Sequence, residues 1–158
     1  MKLYHGSNIL IDEIDLSKTK PYKDFGQGVY LSDNIAQTRQ MAAQRVLTSG
    51  EGHASVTTYE FDEKLLRDSS LRVKIFKSYS MEWLNFILRN RNKRNTAHHG
   101  YDIVVGPIAN DKIGLQIRLY ESKYIDKKAL LQKLKYVKGM TIQYYFGTPC
   151  AIEKLTKV

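Results

Sequence analysis

Residues 25–33 read Phe-Gly-Gln-Gly-Val-Tyr-Leu-Ser-Asp, FGQGVYLSD, and they set the local order of the chain. The two glycines, following the Pro and Asp of PYKD, mark a loop. Val29, Tyr30 and Leu31 then form a brief apolar strand. Ser32, Asp33 and Asn34 each carry an oxygen able to accept from the first amides of a helix, so a helix is expected next. The stretch NIAQTRQMAAQRVLTSG fits, with Gly50 closing it and Ile35, Met41, Ala42 and Val46 roughly on one face. Upstream, residues 1–7 hold LYHGS, a short strand that stops at Gly6-Ser7 with His5 at its rim. Residues 8–19 are mixed and suggest a second short extended piece.

Downstream, ASVTTYEFD alternates as a strand and LRVKIFK follows as another. SMEWLNFILRNRNK is a strongly amphipathic helix with Trp83, Leu84, Phe86 and Ile87 inward and Ser80 as its cap. YDIVVGPIAND is a buried strand that breaks at Gly106-Pro107. GLQIRLYES reads equally as strand or helix. DKKALLQKLKYV is a helix, MTIQYYFGT a strand, and PCAIEKLTKV a turn followed by a final strand or helix. Strands and helices mix without regular alternation. An α+β domain over residues 1–158 is expected, with an antiparallel or split sheet and flanking helices.

Of 158 residues, 42% are hydrophobic, enough for a packed core rather than a disordered chain. Cys150 is the only cysteine, which excludes an intrachain disulfide and a cysteine-rich zinc site. No apolar run reaches membrane-spanning length, and the first residues lack the apolar core of a signal peptide. These features lead us to expect a cytoplasmic protein with no membrane partner. The net charge of +9 suits either a solvated basic surface or a polyanionic partner. Arg89, Arg91, Lys93 and Arg94 bunch together, as do the lysines of KKALLQKLKYVKG, yet no nucleic-acid recognition motif surrounds them.

Three pieces stand out together: LYHGS, FGQGVYLSDNIAQTRQMA and IQYYF. In that order they resemble the signature segments of the ADP-ribosyltransferase superfamily, in its diphtheria-toxin and poly(ADP-ribose) polymerase branch. EWLNFILRNR, YDIVVGPIANDK and the terminal QYYF also look like an uncharacterised bacterial domain family of that clan. The resemblance covers nearly the whole chain and implies a split-sheet catalytic domain that uses NAD as co-substrate. It implies that His5 bonds the adenosine ribose and that Gly6 offers its bare peptide edge to the nicotinamide carboxamide. Ser7 would add a hydroxyl at that rim, and Gly28 would belong to the first glycine loop. Tyr30 would stack on the nicotinamide ring. Counting from Tyr30, a hydroxyl position falls on Thr38 and a second aromatic position on Met41, where the methionine departs from the pattern.

The third signature position is commonly Glu, whose charge suits an oxocarbenium-like transition state. Here it is Gln143. With His5 and Tyr30 it completes the implied catalytic set, and its neutrality favours mono-transfer or NAD hydrolysis over chain elongation. Arg91 serves either as a cation at a helix end or as a contact to the pyrophosphate. Asp111 would orient a nucleophile or cap a helix, and His98-His99 form a surface loop or a substrate contact. No metal site is expected. The resemblance further implies a protein or nucleic-acid acceptor, and by analogy a toxin or defence factor restrained by an antitoxin-like partner. Other readings are an NAD or nucleic-acid binding module without catalysis, an RNA 2′-phosphotransferase relative, and a partner protein whose ligand site has been lost.

Overall fold

The computed structural model describes residues 1–110, 112–136 and 139–158. Among the described residues, seven strands form one sheet: β1 (Lys2–Ser7), β2 (Val29–Ser32), β3 (Ser55–Phe61), β4 (Val73–Ile75), β5 (Ile103–Pro107), β6 (Ile142–Phe146) and β7 (Leu155–Lys157). Their order is β4-β5-β6-β2-β1-β3-β7. The helices are α1 (Ile35–Ser49), α2 (Met81–Arg91), α3 (Ile113–Glu121), α4 (Lys127–Leu134) and the short α5 (Pro149–Ile152). The α+β class expected from the sequence holds.

The sheet is mixed rather than purely antiparallel. β4 and β5 pair in parallel, Val73 against Ile103 and Ile75 against Val105. Parallel neighbours need a crossover, and α2 supplies it. Every other neighbouring pair is antiparallel.

Strand alternation divides the core between the two sheet faces. Leu3, Leu31, Tyr59, Phe61, Ile103, Tyr144 and Phe146 pack on one face. On the other, Val104 and Tyr145 meet Phe25, Phe76 and the Trp83, Leu84 and Ile87 stripe of α2, with Leu130 and Leu134 of α4 beyond. Phe86 sits half-buried at the edge of that stripe.

Of the three candidate caps for α1 the structure uses Asn34, and Ser80 caps α2 as expected. Asn34 accepts from the Gln37 amide at 3.1 Å, and Ser80 accepts from the Trp83 amide at 3.1 Å. Gly50 ends α1 in the left-handed region at φ 69°. Residues 8–19 depart from expectation. They form no strand but a turn closing on Leu16–Lys18, a 3-10 segment capped by Asp15. The ambiguous GLQIRLYES is helical, as α3. The helix expected over 126–137 ends at Leu134, and Val137 lies outside the described residues.

The inner face of α1 also differs. Thr38 and Ala42 are buried, whereas Ile35 and Met41 are exposed and Val46 is half-buried. The cause is close approach. A Cβ on Gly6 would lie 2.5 Å from the Thr38 carbonyl and 3.2 Å from the Ala42 amide. At that separation only small side chains fit between α1 and β1, and the long ones are turned aside. Among the described residues, no helix is long and apolar enough to cross a membrane.

Candidate functional site

The site begins where a ladder stops. Along β1 and β3, Phe61 donates to the Met1 carbonyl at 3.0 Å, and Thr58, opposite Tyr4, turns its carbonyl to Val158 at 3.0 Å. Antiparallel ladders alternate, so Leu3, His5 and Ser7 bond β3 while Tyr4 and Gly6 direct their peptide groups toward β2. Tyr4 finds Ser32 there. In that register the next pair would be Gly6 with Tyr30, but it is not made. The β1–β2 pairing stops here, so the peptide edge of Gly6, a buried residue, faces β2 without that rung.

His5 explains the opening. Its Nδ1 lies 2.9 Å from the Tyr30 carbonyl. A carbonyl only accepts, so Nδ1 carries the proton and takes the place of a ladder bond. Burial holds the His5 pKa below its ordinary value, opposed by the Tyr30 carbonyl and reinforced by the charge of Arg45. The ring is neutral at pH 7, and Nε2 is left as an acceptor.

Tyr30 is half-buried on the face of the sheet that carries Gln143. Its hydroxyl donates to the Gly26 carbonyl at 2.7 Å and accepts from the Phe25 amide at 2.9 Å. These two bonds tie the ring to the glycine loop. The Tyr145 ring, 5.4 Å away, braces it edge-on. Burial, then the Asp24 charge, pushes its phenol well above the usual range, so Tyr30 has no proton chemistry near neutral pH, and the Phe25 ring stacks beside it at 6.3 Å.

Gln143 stands opposite Ser32 and is 8% exposed. Its Nε2 donates to Asp24 Oδ2 and to the Pro107 carbonyl, both at 3.3 Å. Asp24, also 8% exposed, accepts at Oδ1 from Arg91 Nε at 2.6 Å. Asn90 fixes the Asp24 backbone through its carbonyl at 3.0 Å, and Trp83 shares the Pro107 carbonyl at 3.1 Å. Loop, helix α2 and strands β5 and β6 therefore meet at one amide.

Cations gather on the loop side. Lys23 has its pKa lowered by desolvation first, then by the charges of Arg45, Arg91 and Lys20, with Asp24 opposing. Such mutual repulsion marks a place where an anion lowers the energy of several groups at once.

The other expected residues are placed as follows. Ser7 is buried, and its Oγ accepts from the Ile9 amide at 3.3 Å, closing the turn after β1. Gly28 is bare because a side chain there would strike the Tyr145 ring and come within 2.7 Å of the Phe146 carbonyl. Thr38 donates its hydroxyl to the Asn34 carbonyl at 2.9 Å and presents its backbone to Gly6. Met41 is 43% exposed, away from the inner face. Arg91 keeps part of its guanidinium open beyond the Asp24 bond, being 27% exposed. His99 is structural: Nε2 donates to the Phe25 carbonyl at 2.7 Å and Nδ1 accepts from the Tyr101 amide at 3.0 Å. Asp111 lies outside the described residues. Among the described residues, no group of three metal-binding side chains exists.

Asp24, Lys23 and Arg45 were missed by sequence reading. Arg45 stands seven residues after Thr38 and three after Ala42, so the helical period aligned it with the face that meets Gly6. Asp24 gave no such signal.

The structure defines an α+β protein in which the end of the β1–β2 pairing gathers the Gly6 peptide, the His5 imidazole, the Tyr30 ring and a group of cations. The chain belongs to the family described as "Protein of unknown function (DUF3990)", whose model matches residues 1–156. No curated protein and no solved structure matches it.

Proposed function

We propose that this protein is an NAD-dependent mono-ADP-ribosyltransferase. The observation that carries the reading is the unmade Gly6–Tyr30 pair, held open by the His5 imidazole. A nicotinamide carboxamide takes up the Gly6 amide and carbonyl that the ladder leaves, and its ring lies on Tyr30. His5 Nε2 accepts from a ribose hydroxyl. The pyrophosphate is met by Lys20, Lys23, Arg45 and the open side of Arg91. Ser7, Gly28 and Thr38 shape the site through turns and close packing rather than by touching NAD.

In the reaction the C1′–N bond of NAD breaks and its electron pair leaves with nicotinamide. The ribosyl cation left behind is captured by a nucleophile of the acceptor, whose proton passes to solvent. Gln143 accepts from the nicotinamide ribose and places no full charge beside the cation. That supports a single transfer or hydrolysis over polymer growth. The acceptor is a protein or a nucleic acid. By analogy of fold alone, a cytoplasmic toxin or defence factor with an antitoxin-like partner fits the reading.

The second reading is a nucleic-acid binding module without catalysis. It is favoured by an open cleft of about 900 Å³ beside α2, lined by Arg89, Arg94, Lys127 and Tyr120. Nicotinamide release from NAD, measured alone and with cell lysate, separates the readings. Release that depends on lysate and is lost in His5→Ala, Tyr30→Ala and Gln143→Ala supports the transferase. Release without lysate supports a hydrolase. No release, together with no stabilisation by NAD against heat, overturns the NAD reading and leaves the basic cleft.

A further inference from the structure

We propose that Asp24 is a positioning residue that makes Gln143 an obligate hydrogen-bond acceptor, so that a neutral amide performs the ribose-binding part of a carboxylate's work. The inference rests on the NAD reading above. It begins with the amide hydrogens. Gln143 Nε2 has two, and two acceptors stand before it: Asp24 Oδ2 and the Pro107 carbonyl, each at 3.3 Å. Neither can donate. The reversed amide would set Oε1 against two oxygens with no proton between them, at the full penalty of unmade buried bonds. The orientation is therefore fixed, with Nε2 inward and Oε1 outward.

Among the described residues, nothing donates to Gln143 Oε1. The buried side-chain atoms without a partner are Thr57 Oγ1 and Gln116 Oε1, so Gln143 Oε1 is not sealed in. It keeps the little exposure this residue has, on the face shared with Tyr30. An acceptor with no competing donor selects a hydroxyl, which is what a ribose presents.

Asp24 does not act as the missing acid or base itself. Oδ1 is held by Arg91 Nε at 2.6 Å and Oδ2 by Gln143, so both oxygens are engaged. Its role is geometric, exerted through Gln143. The charged and titratable groups that act on Asp24 are Lys23 from the loop, Arg91 from α2 and Tyr30 from β2.

This arrangement predicts that simple restoration of a carboxylate fails. Gln143→Glu sets a second carboxylate against Asp24 Oδ2, and like charges so close do not both ionise. With one proton shared, the introduced side chain mimics Gln. Its activity therefore survives only below a raised pKa and is lost as pH rises. Asp24→Asn relieves the charge conflict by offering an amide hydrogen, leaving the Pro107 carbonyl as the one acceptor still facing the introduced carboxylate.

The experiment compares the wild type, Asp24→Asn, Gln143→Glu and the double variant, with nicotinamide release from NAD measured between pH 5 and 8. Asp24→Asn is expected to lower kcat about tenfold or more, with KM for NAD changing less than about threefold. Gln143→Glu is expected to show a falling limb with rising pH that the wild type lacks. The double variant is expected to lose that limb and to keep more activity than the two single losses combined would leave. Thermal melts check folding. If Asp24→Asn does not fold, the pH limb of Gln143→Glu alone decides. Wild-type kinetics in Asp24→Asn, strictly additive losses in the double variant, or a limb-free Gln143→Glu profile each overturn the inference while leaving the NAD reading standing. A wild type that neither binds nor cleaves NAD fells both.

Discussion

His5 Nδ1 donates to the Tyr30 carbonyl at 2.9 Å, and this one bond occupies the place of a ladder rung between β1 and β2. Hydrogen exchange reads the consequence directly. The Gly6 amide, turned toward the gap, is expected to exchange much faster than the His5 amide, which the ladder to β3 protects. In His5→Ala the Tyr30 carbonyl is released, the rung can form, and Gly6 is expected to gain protection as the proposed NAD cleavage is lost. Equal protection of Gly6 and His5 in the wild type would contradict the open gap.

Gly6 is required by packing as well as by any ligand. An added methyl lies 2.5 Å from the Thr38 carbonyl, a backbone atom that cannot swing away. Gly6→Ala is expected to cost about 1–3 kcal/mol, the range for overpacking in a close-packed core. Denaturant titration checks this, and unchanged stability would mean that α1 stands off from β1 more than described.

The cationic rim predicts salt-sensitive binding. Lys23→Gln and Arg45→Gln should each weaken NAD about threefold to tenfold, with a smaller effect at high salt. Calorimetric titration at low and high ionic strength measures it. Affinity that ignores both substitutions would remove the pyrophosphate from this rim.

His99 sets a pH window. Burial, partly offset by the Phe25 carbonyl and reinforced by His98, lowers its pKa from 6.5 to about 4. Between those values the unfolded chain binds a proton that the folded chain refuses. Stability therefore falls as pH drops from about 6.5 to about 4 and levels off below. His5, shifted in the same direction, adds to the slope. Denaturation midpoints across pH 4–7 should show this slope, and His99→Gln should flatten it. An equal slope in both proteins would place its origin elsewhere.

Asp24 shows why parts of the site could not be read along the chain. It meets Gln143 across 119 positions, and neither residue carries a sign of the other. The helical period of α1 was legible, yet Met41 was expected inward and Thr38 took that place. The spacing between α1 and β1 is a property of the packed pair, not of the helix. The parallel β4–β5 pair was equally hidden, since strand direction depends on how a crossover packs.

By itself the sequence determined what short-range physics controls. That includes the α+β class, most strands and helices, the Ser80 and Gly50 caps, a cap for α1 among Ser32, Asp33 and Asn34, and the His-Gly strand end beside a glycine loop and a tyrosine. Each rests on periodicity or on bonds between near neighbours. Only the tertiary structure decided that the β1–β2 ladder stops at Gly6, that His5 fills the missing rung, and that Asp24 with Arg91 orients Gln143. Those are contacts between segments far apart in the chain. Their geometry follows from the packing of the whole sheet against its helices.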